Sequence, residues 1–160
     1  MKMKTMLAIA ALIGLAYCGL STVPAVEASL FTVGGAPPFG GYQCMDVAGG
    51  GTAPFTPVQA WDCHGWVNQQ WTMQGFTIQG VGSNGGAQNC LDVAYAGTVA
   101  GTTVNLYPCN GGVAQQWYYY NSHLYNPHSG MCLDAGNQLN GTRLIINYCA
   151  NVSGQQWQIK

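Results

Sequence analysis

Three aspartates stand at the same place in a repeating pattern: Cys44-Met45-Asp46, Cys90-Leu91-Asp92 and Cys132-Leu133-Asp134. A second cysteine follows each (Cys63, Cys109, Cys149). Six residues beyond it begins Gln-Gln-Trp: Gln69-Gln70-Trp71, Gln115-Gln116-Trp117 and Gln155-Gln156-Trp157. Two positions before the second cysteine stands an aromatic residue in two copies, Trp61 and Tyr107. An ionised carboxylate is a strong hydrogen-bond acceptor, and an aromatic ring beside it offers an apolar surface. Together they suit a neutral ligand with hydroxyls on one side and C–H groups on another. The plainer reading of each aspartate is a turn residue that bonds its own backbone before a Gly-rich loop.

Catalysis fits these residues poorly. A glycoside hydrolase needs two carboxylates in different roles across one bond. Only Asp62 of the remaining carboxylates lies outside the repeated set, and a threefold repeat holds the other three apart. His64, His123 and His128 show neither triad nor metal-ligand spacing, and the cysteines lack the close pairs of a zinc site. The expectation is no enzyme activity, no cofactor and no metal.

The elements that position these groups come in three units. The aspartates are 46 and then 42 residues apart, a period at which each unit buries its core only against its neighbours. The units run about 30–74, 75–121 and 122–160. Ahead of them, Lys2 and Lys4 precede an apolar run from Met6 to Leu20, with a small-residue cleavage site after Ala28. Residues 1–28 read as a secretory signal peptide. The run is shorter than the ~18 apolar residues of a membrane span. Cys18 follows the bulky Tyr17, which does not suit a lipoprotein signal. The mature part, 29–160, is expected to be one secreted domain, extracellular or periplasmic. It carries Asp46, Asp62, Asp92 and Asp134 against Arg143 and Lys160, a net charge of −2. That leaves no basic field for nucleic acid or an anionic membrane, and no membrane insertion is expected.

Among the possible pairings of six cysteines, the repeat favours Cys44–Cys63, Cys90–Cys109 and Cys132–Cys149, each inside one unit and suited to an oxidising compartment. Turn signals and short β-type runs recur without a helical period, giving four strands per unit and twelve in all. Twelve short strands in three equal units predict a closed antiparallel all-β architecture with pseudo-threefold symmetry. Trp71, Trp117 and Trp157 are its expected core.

The repeated Gln-x-Trp, the Cys-x-Asp and the paired cysteines resemble the ricin-B-type lectins, which are β-trefoils. The resemblance covers about residues 30–160. It implies a sugar site in which the carboxylate accepts vicinal hydroxyls, the ring stacks on the C–H face, and flanking amides assist. On this sequence the first site would comprise Asp46, Gln59, Trp61, Asn68 and Gln69, with Trp66 in the adjoining loop. The second would comprise Asp92, Asn105, Tyr107 and Gln115, with Ala114 where the asparagine would be. The third is weak or lost: Asp134, Asn147 and Gln155 remain, the ring position is Asn147, Ile145 replaces the earlier amide, and Gly154 replaces the asparagine. Gln69, Gln115 and Gln155 stand between a structural and a ligand-side role.

The resemblance implies a glycan-binding module for galactose- or N-acetylgalactosamine-type sugars. A xylan-like polysaccharide, a targeting role beside a toxin or enzyme chain, and a protease-inhibitor-like protein scaffold are the alternatives. Asn140 and Asn151 begin glycosylation sequons usable in a eukaryotic host.

Overall fold

The computed structural model describes residues 28–34, 42–81 and 88–160. The signal-peptide reading of 1–28, apart from Ala28, and Cys18 lie outside these residues. Among these described residues thirteen short strands follow one another: β1 Phe31–Val33, β2 Gln43–Val47, β3 Thr56–Asp62, β4 Thr72–Gln74, β5 Thr77–Gln79, β6 Asn89–Val93, β7 Val104–Pro108, β8 Tyr118–Tyr120, β9 His123–Asn126, β10 Met131–Asp134, β11 Thr142–Arg143, β12 Ile145–Asn147 and β13 Trp157–Ile159. Twelve were expected. The extra one arises because the third strand of the last unit is interrupted at Leu144. There the N–H donates to the Val58 carbonyl and the carbonyl accepts from the Val104 N–H, both at 2.9 Å, so Leu144 bonds the other two units instead.

The pairing order repeats three times: β13-β1-β2-β3, β4-β5-β6-β7 and β8-β9-β10-β12. In each ribbon the last strand of one unit pairs with the first strand of the next, and the chain's last strand closes on its first. The ribbons meet along their third strands. β3 pairs with β7 (Thr56 opposite Leu106) and with β11 (Thr142 opposite Ala60), and Thr103 bridges to Ile145. This is a β-trefoil, with the pseudo-threefold symmetry the repeats predict.

The tryptophans of the repeat lock it. Trp71, Trp117 and Trp157 are fully buried among Met45, Leu91, Leu133 and the other apolar residues of the strands. Each indole N–H donates to the carbonyl of the residue just before an aspartate: Met45 (2.9 Å), Leu91 (2.9 Å) and Leu133 (3.0 Å). Each backbone N–H donates to a carbonyl at the start of its own unit: Ser29 (3.0 Å), Phe76 (2.7 Å) and Ser122 (2.7 Å). One side chain thus fills the core, satisfies its own polar atom, and sits where the unit's ends join. The bridges are Cys44–Cys63, Cys90–Cys109 and Cys132–Cys149, as the repeat predicts. In the chain-entropy model each closes a loop worth roughly 3 kcal/mol.

Candidate functional site

Directly opposed residues of an antiparallel pair share one face of the sheet. In the β2–β3 hairpin Cys44 lies opposite Trp61, and Asp46 opposite Gln59. Disulfide, carboxylate, amide and ring therefore emerge on one side. The 3-10 turn Val67–Gln69 brings two more amides to the same carboxylate. Asp46 Oδ1 accepts from Gln59 Nε2 at 3.0 Å, and Oδ2 accepts from Asn68 Nδ2 at 2.7 Å and Gln69 Nε2 at 3.0 Å. His64 Nε2 stands 3.5 Å from Oδ2. A carboxylate has about four acceptor positions, so the one left open is on Oδ1.

The glutamine is buried because it alone among side chains of its size both donates and accepts there. Gln69 Nε2 also donates to the Asp62 carbonyl (3.0 Å), while Oε1 accepts the N–H groups of His64 (2.9 Å) and Gly65 (3.1 Å). Gln115 does the same with Asp92, the Pro108 carbonyl and the Asn110 N–H. Gln155 does so with Asp134, the Tyr148 carbonyl and the Ala150 N–H. All three lie behind their carboxylates in the core. Of the two roles open to them, these bonds favour positioning: they hold the aspartates and the loop, from the side away from solvent.

In front of Asp46 opens a cavity of about 890 Å³ lined by Gln59, Trp61, His64, Trp66 and Asn68 among others. Trp61 is 38 % exposed and Trp66 72 %. Trp66 packs on His64 at 4.9 Å between ring centroids. Gly49, at φ 62°, forms the facing lip, and a side chain built there would meet nothing within 4 Å. His64 was not among the sequence candidates. Its proximity to Asp46 depends on the turn after the second cysteine, which spacing alone does not reveal.

The second copy is built differently. Asp92 lies opposite Asn105 and Cys90 opposite Tyr107, but Gln115 Nε2 (2.9 Å) is the side-chain donor to the Asp92 carboxylate. Burial pushes the Asp92 carboxyl above its usual range, with the Gln115 bond opposing. Asn105 is engaged elsewhere, its Oδ1 accepting from Arg143 Nη2 of the third unit at 2.9 Å. The cavity here, about 290 Å³, is lined by Phe55, Asp92, Tyr95, Tyr107, Asn110 and Ala114 among others. Tyr95 takes the place of Gly49, in the left-handed region at φ 55° and 87 % exposed. It stacks on Phe55 (5.2 Å), which also meets Tyr107 (5.0 Å). Phe55 and Tyr95 were missed. Phe55 comes from the first unit, and a left-handed tyrosine carries no sequence signature.

The third copy has Asn147, opposite Cys132, where the first has Trp61. Asp134 Oδ1 accepts the Gly136 N–H at 2.7 Å, the self-bonding turn of the plainer reading. Oδ2 accepts from Asn147 Nδ2 (3.1 Å) and Gln155 Nε2 (2.9 Å). Gly154 lies directly against this turn. A Cβ there would stand 2.7 Å from the Gly136 carbonyl oxygen and 2.9 Å from Asp134 Oδ1, and its carbonyl accepts the Ala135 N–H at 2.8 Å. Tyr148 is exposed just beyond β12.

Among the described residues no cluster of His, Cys, Asp or Glu could hold a metal ion, and no helix is long and apolar enough to cross a membrane.

A family model described as "Ricin-type beta-trefoil lectin domain" matches residues 40–157. No curated protein matches the chain. Among solved structures, a designed threefold-symmetric protein, ThreeFoil, is similar over 82 % of this chain and 96 % of its own, at 25 % identity and a TM-score of 0.68. The agglutinin from Abrus precatorius is similar at 26 % identity and a TM-score of 0.68 over 84 % of this chain; the match spans about half of the agglutinin, 49 %. The C-half of an earthworm R-type lectin, solved in complex with GalNAc, has the same fold at 14 % identity and a TM-score of 0.65, over 84 % of this chain and 98 % of its own.

Proposed function

The chain belongs to the ricin-type beta-trefoil lectin family, and from that premise we propose that it is a secreted, non-catalytic lectin. It binds a galactose- or N-acetylgalactosamine-type sugar at one principal site built on Asp46. Membership of the family makes it a carbohydrate-binding module. The observation that supports the sugar class and the place is the Asp46 carboxylate. Amides hold it on both oxygens, one acceptor position remains on Oδ1, and a half-exposed Trp61 stands on the same face.

A sugar hydroxyl donates to the open position on Oδ1. The neighbouring hydroxyl meets the remaining N–H of Gln59 or the free side-chain oxygen of Gln59 or Asn68, and the C–H face of the ring lies on Trp61. The carboxylate is orientated before the ligand arrives, so little ordering accompanies binding. A small open site of this kind binds weakly alone, and several sites on one glycan surface raise the avidity. The pocket at Asp92 serves as that second, weaker contact. Export follows from the reading of residues 1–28, and a glycan surface is the partner, with a toxin or enzyme chain as a companion in a larger assembly.

Titration of methyl β-galactoside and N-acetylgalactosamine into the mature chain, beside a glycan array, tests this. Saturable binding of terminal galactose or N-acetylgalactosamine, competed by free sugar, is expected. A clean array across neutral glycans refutes the lectin reading, and selective retention of xylan alone replaces the sugar class.

A further inference from the structure

The outer face of the third ribbon carries a cavity of about 620 Å³ that contains none of the repeated aspartates. It is lined by Tyr118 and Tyr120 of β8, His123 and Tyr125 of β9, and the Cys132–Cys149 disulfide, with Asn151 at its edge. The register explains the convergence. Tyr118 lies opposite Tyr125, and Tyr120 opposite His123, so all four point to one side. Tyr119, on the other side, donates its hydroxyl to the Trp157 carbonyl at 3.0 Å.

The pseudo-symmetry supplies an internal control. In the second ribbon the corresponding pairs are Thr72 with Gln79 and Gln74 with Thr77. In the first they are Gln158 with Thr32 and Lys160 with Leu30, whose backbones exchange hydrogen bonds. The fold is therefore satisfied by mostly polar residues at these positions. Of the four residues there in the third ribbon, His123 bonds the Asn121 and Ala150 carbonyls and Tyr118 stacks on Phe76, whereas Tyr120 is left 73 % exposed, more than packing asks of it.

The chemistry narrows the occupant. Among the described residues no Asp, Glu, Lys or Arg lines the cavity, so a charged ligand would lose water without gaining an opposite charge there. A wholly apolar ligand would leave the phenol hydroxyls and the Asn121 and Asn151 amides unused. Tyrosine presents an apolar body and a polar tip, which matches a ring with C–H faces and equatorial hydroxyls. Tyr118 and Tyr120, two residues apart on one strand, stand about 7 Å apart along it, and Tyr118 stacks on Phe76 at 4.5 Å. The rings thus form a strip rather than a single platform.

We propose that this aromatic cavity is a separate carbohydrate site that takes the flat C–H faces of a neutral, equatorially linked pyranose chain on Tyr118, Tyr120 and Tyr125. It stands independently of the galactose reading of Asp46, on a different ligand geometry. The third unit, which has Asn147 in place of the ring beside its aspartate, contributes to binding through its outer face instead.

The test uses xylohexaose and methyl β-galactoside as probes on the secreted chain produced without N-glycosylation, since Asn151 borders the cavity. Tyr118 packs on Phe76 and its removal can disturb the fold, so exposed Tyr120 is the lead position. Tyr120→Ala should weaken xylohexaose binding about three- to tenfold and leave the galactoside affinity unchanged. Tyr120→Trp should restore xylohexaose binding. Asp46→Ala should do the reverse, losing the galactoside and keeping xylohexaose. The proposal is overturned if xylohexaose does not bind, if Tyr120→Ala leaves its affinity intact, or if Asp46→Ala abolishes it. It is equally overturned if sedimentation shows a dimer that Tyr120→Ala dissociates, for then the face holds a second copy.

Discussion

Replacing Asp46 separates a ligand-binding carboxylate from a turn-forming one. One hydrogen bond from a sugar hydroxyl to a charged acceptor is worth about 1.5–3 kcal/mol, so Asp46→Ala should weaken a simple galactoside by roughly 10- to 150-fold. The fold should survive. Gln69 Nε2 keeps the Asp62 carbonyl at 3.0 Å, Asn68 Nδ2 keeps the Val47 carbonyl at 3.3 Å, and Gln59 is only part-buried and can turn to water. A stability loss of about 1–3 kcal/mol is expected. Asp46→Asn is the sharper variant. Its one oxygen can accept from Gln59 or from the Asn68 and Gln69 pair, and its amide then points donors at donors on the other side. It should therefore bind no better than the alanine variant, although it preserves size. Calorimetric titration of methyl β-galactoside, with thermal melts of each variant, reads both quantities. Asp134→Ala is the control, because Gly154 packs against that carboxylate and Asn147, opposite Cys132, stands where the first unit has its ring. If Asp46→Asn binds within threefold of the parent chain, or if Asp134→Ala abolishes binding, the assignment of the site is wrong.

Gly154→Asn, which restores the residue type of the first unit, should destabilise the chain in a thermal melt without gaining a sugar site, because a Cβ there meets the Gly136 carbonyl at 2.7 Å. Trp117→Ala should cost about 3–5 kcal/mol in denaturant unfolding, and a loss below about 1 kcal/mol would refute its role as a lock. Asp92 has its native pKa raised by burial, so the native state holds its proton at higher pH than the unfolded chain. Its contribution to stability falls as pH rises from the ordinary aspartate value through the raised one, and stays constant above. Asp92→Asn should flatten that limb of the stability–pH curve; an unchanged curve would contradict the shift. Peptide mapping without reduction should recover Cys44 with Cys63, Cys90 with Cys109 and Cys132 with Cys149, and any bridge between units would overturn the pairing.

What was legible in the sequence is what the threefold repeat constrains three times. The strands, the buried Trp71, Trp117 and Trp157, and the cysteine pairs recur at fixed spacing, and each copy corroborates the others. The grouping around Asp46 was legible too, because Asp46, Gln59 and Trp61 lie on one hairpin whose register follows from alternation. What escaped depends on contacts between units. Arg143 reaches Asn105 only because β7 and β11 both pair with β3. Phe55 meets Tyr95 across the same junction. The break at Leu144 likewise reflects bonds to Val58 and Val104 rather than any local propensity. His64 reaches Asp46 from the irregular segment between β3 and the 3-10 turn Val67–Gln69, whose course the spacing leaves open.

The three copies also separate the residues that the fold holds in every unit from those that it leaves free to vary. Every copy keeps the glutamine that joins carboxylate, strand carbonyl and loop N–H, and every copy keeps the tryptophan beneath it. Those residues are buried and fully bonded, so a change in any one opens the core or strands a polar atom. The groups facing solvent are not held this way. The position of Asn68 becomes Ala114 and then Gly154, and that of Trp61 becomes Tyr107 and then Asn147. Gly49 becomes Tyr95 at nearly the same left-handed φ, 62° against 55°. The aspartate belongs to both sets. Behind, it anchors the glutamine in all three units. In front, it faces an open cavity at Asp46, a narrower aromatic one at Asp92, and the backbone of Gly136 at Asp134. The shared partner behind accounts for the Cys-x-Asp motif in all three units, so on the proposed reading the residues in front of the carboxylate, and not the motif, decide which copy binds sugar.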